Sequence, residues 1–298
     1  MSRRGWVLFI AMGLIWGTPY LLIKVSVEWL SPFVVVFGRV GIAAAILLPI
    51  AAATGALRGL HRHWKGILAF AVIELTVPFI ALTWAEERLS SSVTALVIAA
   101  VPLVAAILGR VLRPDDRLTP IRILGLAIGI GGVAALVGLD IQVGTVTALA
   151  ALVFTAVGYA VGPFIVDGPL KGLPSLGVIA VAMTINAVIY APFVVATWPA
   201  NHGPTAPPVP TLAWLSVIAL GAVCTALAFI IFFALIKEVG ASRTTVITFI
   251  NPAVALVLGV LILSEPITAG LAIGFPLVIV GSILATRRAP AVEAEPHA

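Results

Sequence analysis

Cysteine and histidine are nearly absent from the places where chemistry would need them. The single cysteine, Cys224, lies inside an apolar run, which leaves no disulfide framework and no thiolate metal site to build. The four histidines, His61, His63, His202 and His297, fall in polar gaps or in the terminal tail. No HExxH, GxSxG or GxxxxGKS/T pattern occurs, so catalytic zinc, an activated serine and a phosphate-gripping loop all lack their groups. The chain therefore reads as a non-enzyme with no catalytic residue, no metal and no cofactor.

Charge is scarce as well. Only 10% of the 298 residues are charged and 61% are hydrophobic, whereas a soluble domain carries about a quarter charged. The net charge of +5 does not point to nucleic acid, because the basic residues are parcelled into short gaps between apolar runs, and that pattern is membrane topology. A spanning helix needs roughly 20 apolar residues, and such runs recur at about 6–24, 32–53, 65–85, 90–112, 119–139, 143–166, 174–198, 211–236, 241–263 and 267–286. The expected fold is an all-α integral membrane protein of ten transmembrane helices. The opening MSRR before an apolar stretch imitates a signal peptide, but Trp16, Tyr20 and Lys24 leave no small-residue cleavage site, so it reads as the first retained span. The last residues, 289–298, read as a disordered cytoplasmic tail.

With the N-terminus inside, one side receives Arg3, Arg4, Arg58, Arg62, Lys65, Arg110, Arg113, Arg117, Arg122, Lys171, Lys237, Arg243, Arg287 and Arg288, and the other only Lys24 and Arg88. Fourteen against two predicts both termini in the cytoplasm of a multi-pass protein of the inner (plasma) membrane.

The chain also repeats itself. A slide of 150 residues lays Trp64 on Trp214, Thr94 on Thr244, Pro102 on Pro252 and Gly109 on Gly259, and a slide of 149 pairs Gly125 with Gly274 and Gly132 with Gly281. Two repeats follow, 1–140 and 141–288, of five spans each, and an odd number inverts the second copy. Loop charge agrees: AEERLSSS faces KEVGASR, and RPDDR faces SEPIT, with opposite Lys/Arg bias. Inverted repeats are a signature of secondary transporters, with a binding site near the midplane between the copies. A channel would need a continuous polar pore lining, for which the apolar runs hold too few polar residues.

WGTPYLLIK in the first span, the Pro102 and Pro252 helices, the acidic loop residues Asp115, Asp116 and Glu265, and the two closing GxxxxxxG helices resemble the EamA family of the drug/metabolite transporter superfamily, with YddG-like amino-acid and metabolite exporters as the comparison. The resemblance covers essentially the whole chain. It implies a cavity lined by spans one to four and six to nine, with five and ten peripheral, and export of small metabolites, amino acids first. Alternatives are other small solutes or drugs. The implied partners are a small-molecule substrate and the lipid bilayer, with no nucleic acid, in a monomer or a weak homodimer.

Several residues stand out against the apolar background. Glu74 sits midway along span three, where an ionised carboxylate facing lipid costs several kcal/mol; it is either a structural acid or a cavity acid that meets a substrate amine or a coupling proton. Arg39 lies within span two and either snorkels or faces the bundle as a countercharge to Glu74 or to a substrate carboxylate. Thr244, Thr248 and Asn251 follow i, i+4, i+7 spacing and form one polar stripe. Trp16 and Tyr20 in span one, and Thr155 and Tyr159 in span six, are one turn apart and are read as cavity lining. Pro78, Pro102 and Pro252 sit in mid-span, where proline frees a carbonyl one turn back, and are read as hinges or gates. The GxxxG pairs, such as Gly13 with Gly17 and Gly125 with Gly129, are read as close-packing faces.

Overall fold

A computed structural model describes residues 1–112, 119–140, 145–201, 207–240, 244 and 246–286. Asp115, Asp116, Arg113, Arg117, Arg243, Arg287, Arg288 and the tail 289–298 lie outside the described residues. Among the described residues the regular structure is helical throughout. Eight helices among the described residues are long and apolar enough to cross a membrane: α1 (Arg3–Val27), α2 (Pro32–Ala53), α3 (Leu60–Glu86), α4 (Ser91–Val111), α5 (Pro120–Leu139), α6 (Val146–Asp167), α7 (Ser175–Trp198) and α8 (Thr211–Val239). Two shorter apolar helices, α9 (Ile247–Ile262) and α10 (Ala269–Ala285), fall where the sequence places its ninth and tenth spans.

A backbone in lipid has to satisfy its own N–H and C=O groups, and a helix does so within one segment. The ends use side chains. Ser2 accepts from Gly5 N at 2.9 Å, Ser90 from Val93 N at 3.2 Å and Thr268 from Leu271 N at 3.2 Å, and Pro32 opens α2 where a missing N–H costs nothing.

Four helices are irregular inside. α1 breaks at Gly17–Thr18 ahead of Pro19. α4 opens at Ala99–Ala100, just before Pro102. α3 widens into a π segment, Ala71–Thr76, directly before Pro78; the proline cannot donate to the carbonyl one turn back, and a wider turn absorbs the misfit. α8 carries a matching π segment, Ala222–Leu227, with no proline after it. Pro252, by contrast, sits inside a helix that runs on through it.

α2 packs along α7, and α5 along α10. α1 lies against α8 and α9, while α6 lies against α3 and α4. Glycine allows the closest approaches: Gly13 faces Ile250 and Gly17 faces Val254 and the Asn251 carbonyl, so α1 and α9 nearly touch backbones. The two ends of the bundle are defined by ties between helix termini. At the N-terminal face Ser2 Oγ donates to Glu238 Oε1 at 2.5 Å, and Gly66 meets Leu170. At the opposite face Lys24 Nζ donates to the Glu86 and Leu89 carbonyls at 2.7 and 3.0 Å. There too Glu265 caps the start of α4, accepting from Ser91 N at 2.7 Å, Ser92 N at 3.0 Å and Ser92 Oγ at 2.5 Å.

The α5–α10 contact generates a test. A Cβ on Gly281 would stand 2.5 Å from Gly129 Cα and 2.7 Å from the Gly125 carbonyl, and backbone cannot move aside as a side chain can. Gly281→Val is expected to destabilise by about 1–3 kcal/mol, read as a fall of several degrees in the unfolding midpoint in detergent. Gly41→Ala, with nothing within 4 Å of the added carbon, is expected to leave the midpoint unchanged or slightly raised.

Candidate functional site

The two π segments are where polar chemistry gathers. A π turn displaces carbonyls from their helical partners, and side chains take up the vacancies. In α8, Thr225 Oγ1 donates to the Leu220 carbonyl at 2.8 Å and accepts from Arg39 Nε on α2 at 3.0 Å. The same guanidinium lies 4.0 Å above the Phe79 ring of α3. In α3, Thr76 Oγ1 lies 3.0 Å from the Ala71 carbonyl and 2.8 Å from Asn186 Oδ1 on α7. Asn186 Nδ2 donates to the Ala182 carbonyl at 2.8 Å, and the Tyr190 hydroxyl donates to the Thr76 carbonyl. Each π segment is thus tied to one helix of the other half of the chain, α8 to α2 and α3 to α7.

Arg39 faces the bundle. Among the described residues no carboxylate lies within 4.0 Å of it, so the pairing with Glu74 is not formed. Its electrostatic neighbours are Tyr159, Cys224, Tyr20 and Glu86. Glu74 reaches instead toward α6, where its Oε2 is buried against Gly162 with no hydrogen bond of ordinary geometry. A Cβ at Gly162 would collide with that carboxylate, and one at Gly158 would strike Pro78 at 2.6 Å; the two glycines let α6 close over the irregular stretch of α3. Tyr159, between them in sequence, is an electrostatic neighbour of both Glu74 and Arg39. Tyr20 is buried and completes the cluster, within range of Tyr159, Glu86 and Arg39.

The other sequence candidates are placed as follows. Thr155 is fully buried and donates to the Ala151 carbonyl at 3.0 Å, with the Pro78 carbonyl at 3.3 Å. Trp16 packs on α8, its ring centroid 4.8 Å from Phe232 and 6.0 Å from Phe229, one turn from Tyr20 but across the α1 break. Thr244 is buried and donates to the Gly240 carbonyl at 2.9 Å, whereas Thr248 is exposed and Asn251 half-buried. Thr244 precedes α9, which begins at Ile247 and carries Thr248 and Asn251. Asn251 Oδ1 is buried without a hydrogen-bond partner. Pro78 and Pro252 are buried and Pro102 is half-buried.

Sequence reasoning passed over Thr76, Thr225, Asn186 and Tyr190. Asn186 is a lone amide in an apolar run, the same signal that singles out Asn251, and a slide of 149 lays Thr76 on Thr225. Glu86 was missed as well; its side chain is fully buried and both carboxylate oxygens lack a hydrogen bond. Polar ties inside membranes contribute about 0.6 kcal/mol on average and up to about 1.7, and an orphaned buried group adds to the cost of removing one. Asn186→Leu is therefore expected to lower stability by about 1–2 kcal/mol in detergent unfolding, because it strips Thr76 and the Ala71 carbonyl of a partner. A change indistinguishable from that of an exposed α7 substitution, such as Val195→Leu, would show that the tie is idle.

Comparison with known proteins places this architecture. A solved crystal structure aligns over 96% of this chain and 97% of its own with a TM-score of 0.65 and 20% identity. An uncharacterized transporter of Archaeoglobus fulgidus is 24% identical over 297 residues, covering 96% of this chain and 99% of its own. A probable terminal-alkyne amino-acid exporter of Streptantibioticus cattleyicolor is 24% identical over 288 residues, covering 97% and 95%. The family model described as "EamA-like transporter family" matches twice, at residues 3–138 and 145–287. With helices long and apolar enough to cross a membrane, and with that model matching nearly the whole chain, the protein is a membrane transporter of the EamA-like family.

Proposed function

We propose that the protein is a secondary transporter that exports a small zwitterionic metabolite, amino acids first, across the cytoplasmic membrane with both termini inside. The observation that carries this reading is a buried guanidinium and a buried carboxyl group that make no ion pair with each other. Arg39 presents a guanidinium with no carboxylate within 4.0 Å among the described residues, and Glu74 presents a carboxylate with an oxygen lacking a hydrogen bond. Tyr159 is an electrostatic neighbour of each. A polar group buried without partners is costly, and an amino acid would serve both ends at once, its carboxylate on the guanidinium and its ammonium on Glu74. The amino-acid exporter among the relatives supports the substrate class.

On this reading the halves 1–140 and 141–288 are inverted repeats. The tie of α2 to the π segment of α8 and that of α7 to the π segment of α3 are then mates. Alternating access follows by rocking of one repeat on the other, with the π segments and the breaks near Pro19, Pro78 and Pro102 absorbing the bend and Pro252 adding a kink. Only one mate carries a charge, so the repeat symmetry is broken where the substrate's carboxylate binds.

The test is a substrate panel in proteoliposomes, with and without a pH gradient, scored by saturable counterflow, which a carrier shows and an open pore does not. Arg39→Gln is expected to raise KM for amino acids at least about tenfold, the loss of one charge-assisted contact of roughly 1.5–3 kcal/mol. Glu74→Gln is expected to lower flux and flatten its pH profile. Flux and pH profile equal to wild type in Glu74→Gln would remove that residue from the mechanism.

A further inference from the structure

Two clefts open at opposite ends of the bundle. The one at the face opposite the N-terminus holds about 680 Å³ and is lined by Glu28, Trp29, Phe33, Trp84 and Glu87, among others. The one at the N-terminal face holds about 470 Å³, and its lining includes Arg4, Leu176, Ile230, Ala234 and Lys237. Their linings correspond. A slide of 150 carries Ile80, Trp84 and Glu87 of the first onto Ile230, Ala234 and Lys237 of the second. At two of these positions the chemistry differs: Trp84 and Glu87 of the first face Ala234 and Lys237 of the second, whose lining also holds Phe233, Glu238 and Arg4.

We propose that the first cleft is a binding site for an organic ammonium group attached to an apolar body. Aromatic faces attract cations through their quadrupole, and carboxylates beside them add charge. Trp29, Phe33 and Trp84 supply the rings, and Phe33 is held by stacking on Phe193 at 5.2 Å with 10° between planes. Two of its lining side chains, Trp84 and Glu87, already hold a cation of this chain that stands beside the cleft. The Arg88 guanidinium carbon lies 4.0 Å over the Trp84 ring, and Nη1 lies 2.8 Å from Glu87 Oε2. Arg88 is 39% exposed, so it can swing into water and give up its place. Glu28 is exposed, and among the described residues it makes no ion pair within 4.0 Å, so the cleft keeps one carboxylate without a countercharge. Ser31 Oγ, also in the lining, is buried without a hydrogen-bond partner. The bland alternative is a solvated rim of surface charges, which would bind a cation no better than a neutral molecule of the same shape.

The ligand is either a free amine or the amine of a lipid headgroup, and the experiment separates the two. The full chain carrying Glu74→Gln, which silences the mid-bundle acid, is placed in nanodiscs of phosphatidylglycerol. It is titrated calorimetrically with phenethylammonium, with the neutral 2-phenylethanol and with the anionic 3-phenylpropionate. The ammonium is expected to bind at least about tenfold more tightly than the alcohol, a margin of about 1.4 kcal/mol. Glu28→Gln, at an exposed side chain, and Trp84→Leu are each expected to weaken it severalfold, and Arg88→Ala to tighten it by freeing Trp84 and Glu87 of a competing cation. Equal affinity for ammonium and alcohol, or no response to Glu28→Gln, overturns the proposal. Adding phosphatidylethanolamine to the discs then identifies the source: weaker binding of the probe assigns the site to a lipid headgroup, unchanged binding to a free amine, and either result upholds ammonium recognition. Binding here requires no flux, so failure of amino-acid transport would leave this site standing, and failure of this site would leave the transport reading standing.

Discussion

A backbone carbonyl in a hydrocarbon surrounding has nowhere to turn except to the protein. That constraint governs every irregularity in this structure. Where α3 and α8 widen into π segments, the displaced carbonyls of Ala71, Thr76 and Leu220 are served by Thr76, Asn186, Tyr190 and Thr225. The side chains that serve them come partly from the opposite half of the chain, so the repair of a local backbone defect becomes the tie between the halves. Had α3 and α8 been regular, no polar group would have been needed at mid-bundle, and Arg39 would have had no hydroxyl to anchor it.

Glycine does the complementary work. Gly158 and Gly162 bring α6 onto Pro78 and the Glu74 carboxylate, and Gly13 and Gly17 bring α1 onto α9. Charge at the ends is handled differently from charge in the middle. Lys24 and Glu265 are spent on helix termini, one on the last carbonyls of α3 and the other on the first amides of α4, where the peptide dipoles favour them. Arg39 and Glu74 serve no helix terminus: one meets Thr225 and the Phe79 ring, the other is buried against Gly162.

The spans themselves were legible in the sequence because a membrane helix is a one-dimensional object, a stretch of adequate length and apolarity. The reading of 32–53 coincides with Pro32–Ala53, and most other ends agree within a few residues. Pro78 and Pro102 announced irregular backbone, and the structure shows a π turn before one and an opened turn before the other. Pro252 gave the same signal, yet α9 continues through it; a proline states that one N–H is missing, not how the neighbouring turns absorb the loss. The π segment of α8 gave no signal of its own, since no proline follows it. Of the stripe Thr244, Thr248 and Asn251, the structure buries the first, exposes the second and half-buries the third, a difference that spacing along the chain does not state.

What the sequence by itself determined is the set of apolar helices and the short list of polar residues that lipid would not tolerate. Those follow from composition and spacing along the chain. Only the tertiary structure decided which of these polar residues meet. It set Arg39 on Thr225 and Phe79 rather than on Glu74, sent Glu74 to Gly162, and drew Asn186 and Tyr190 into the same architecture. The physical reason is that a helix surface offers a side chain several neighbours at similar depth, and the choice among them depends on how closely the helices pack and where their backbones bend.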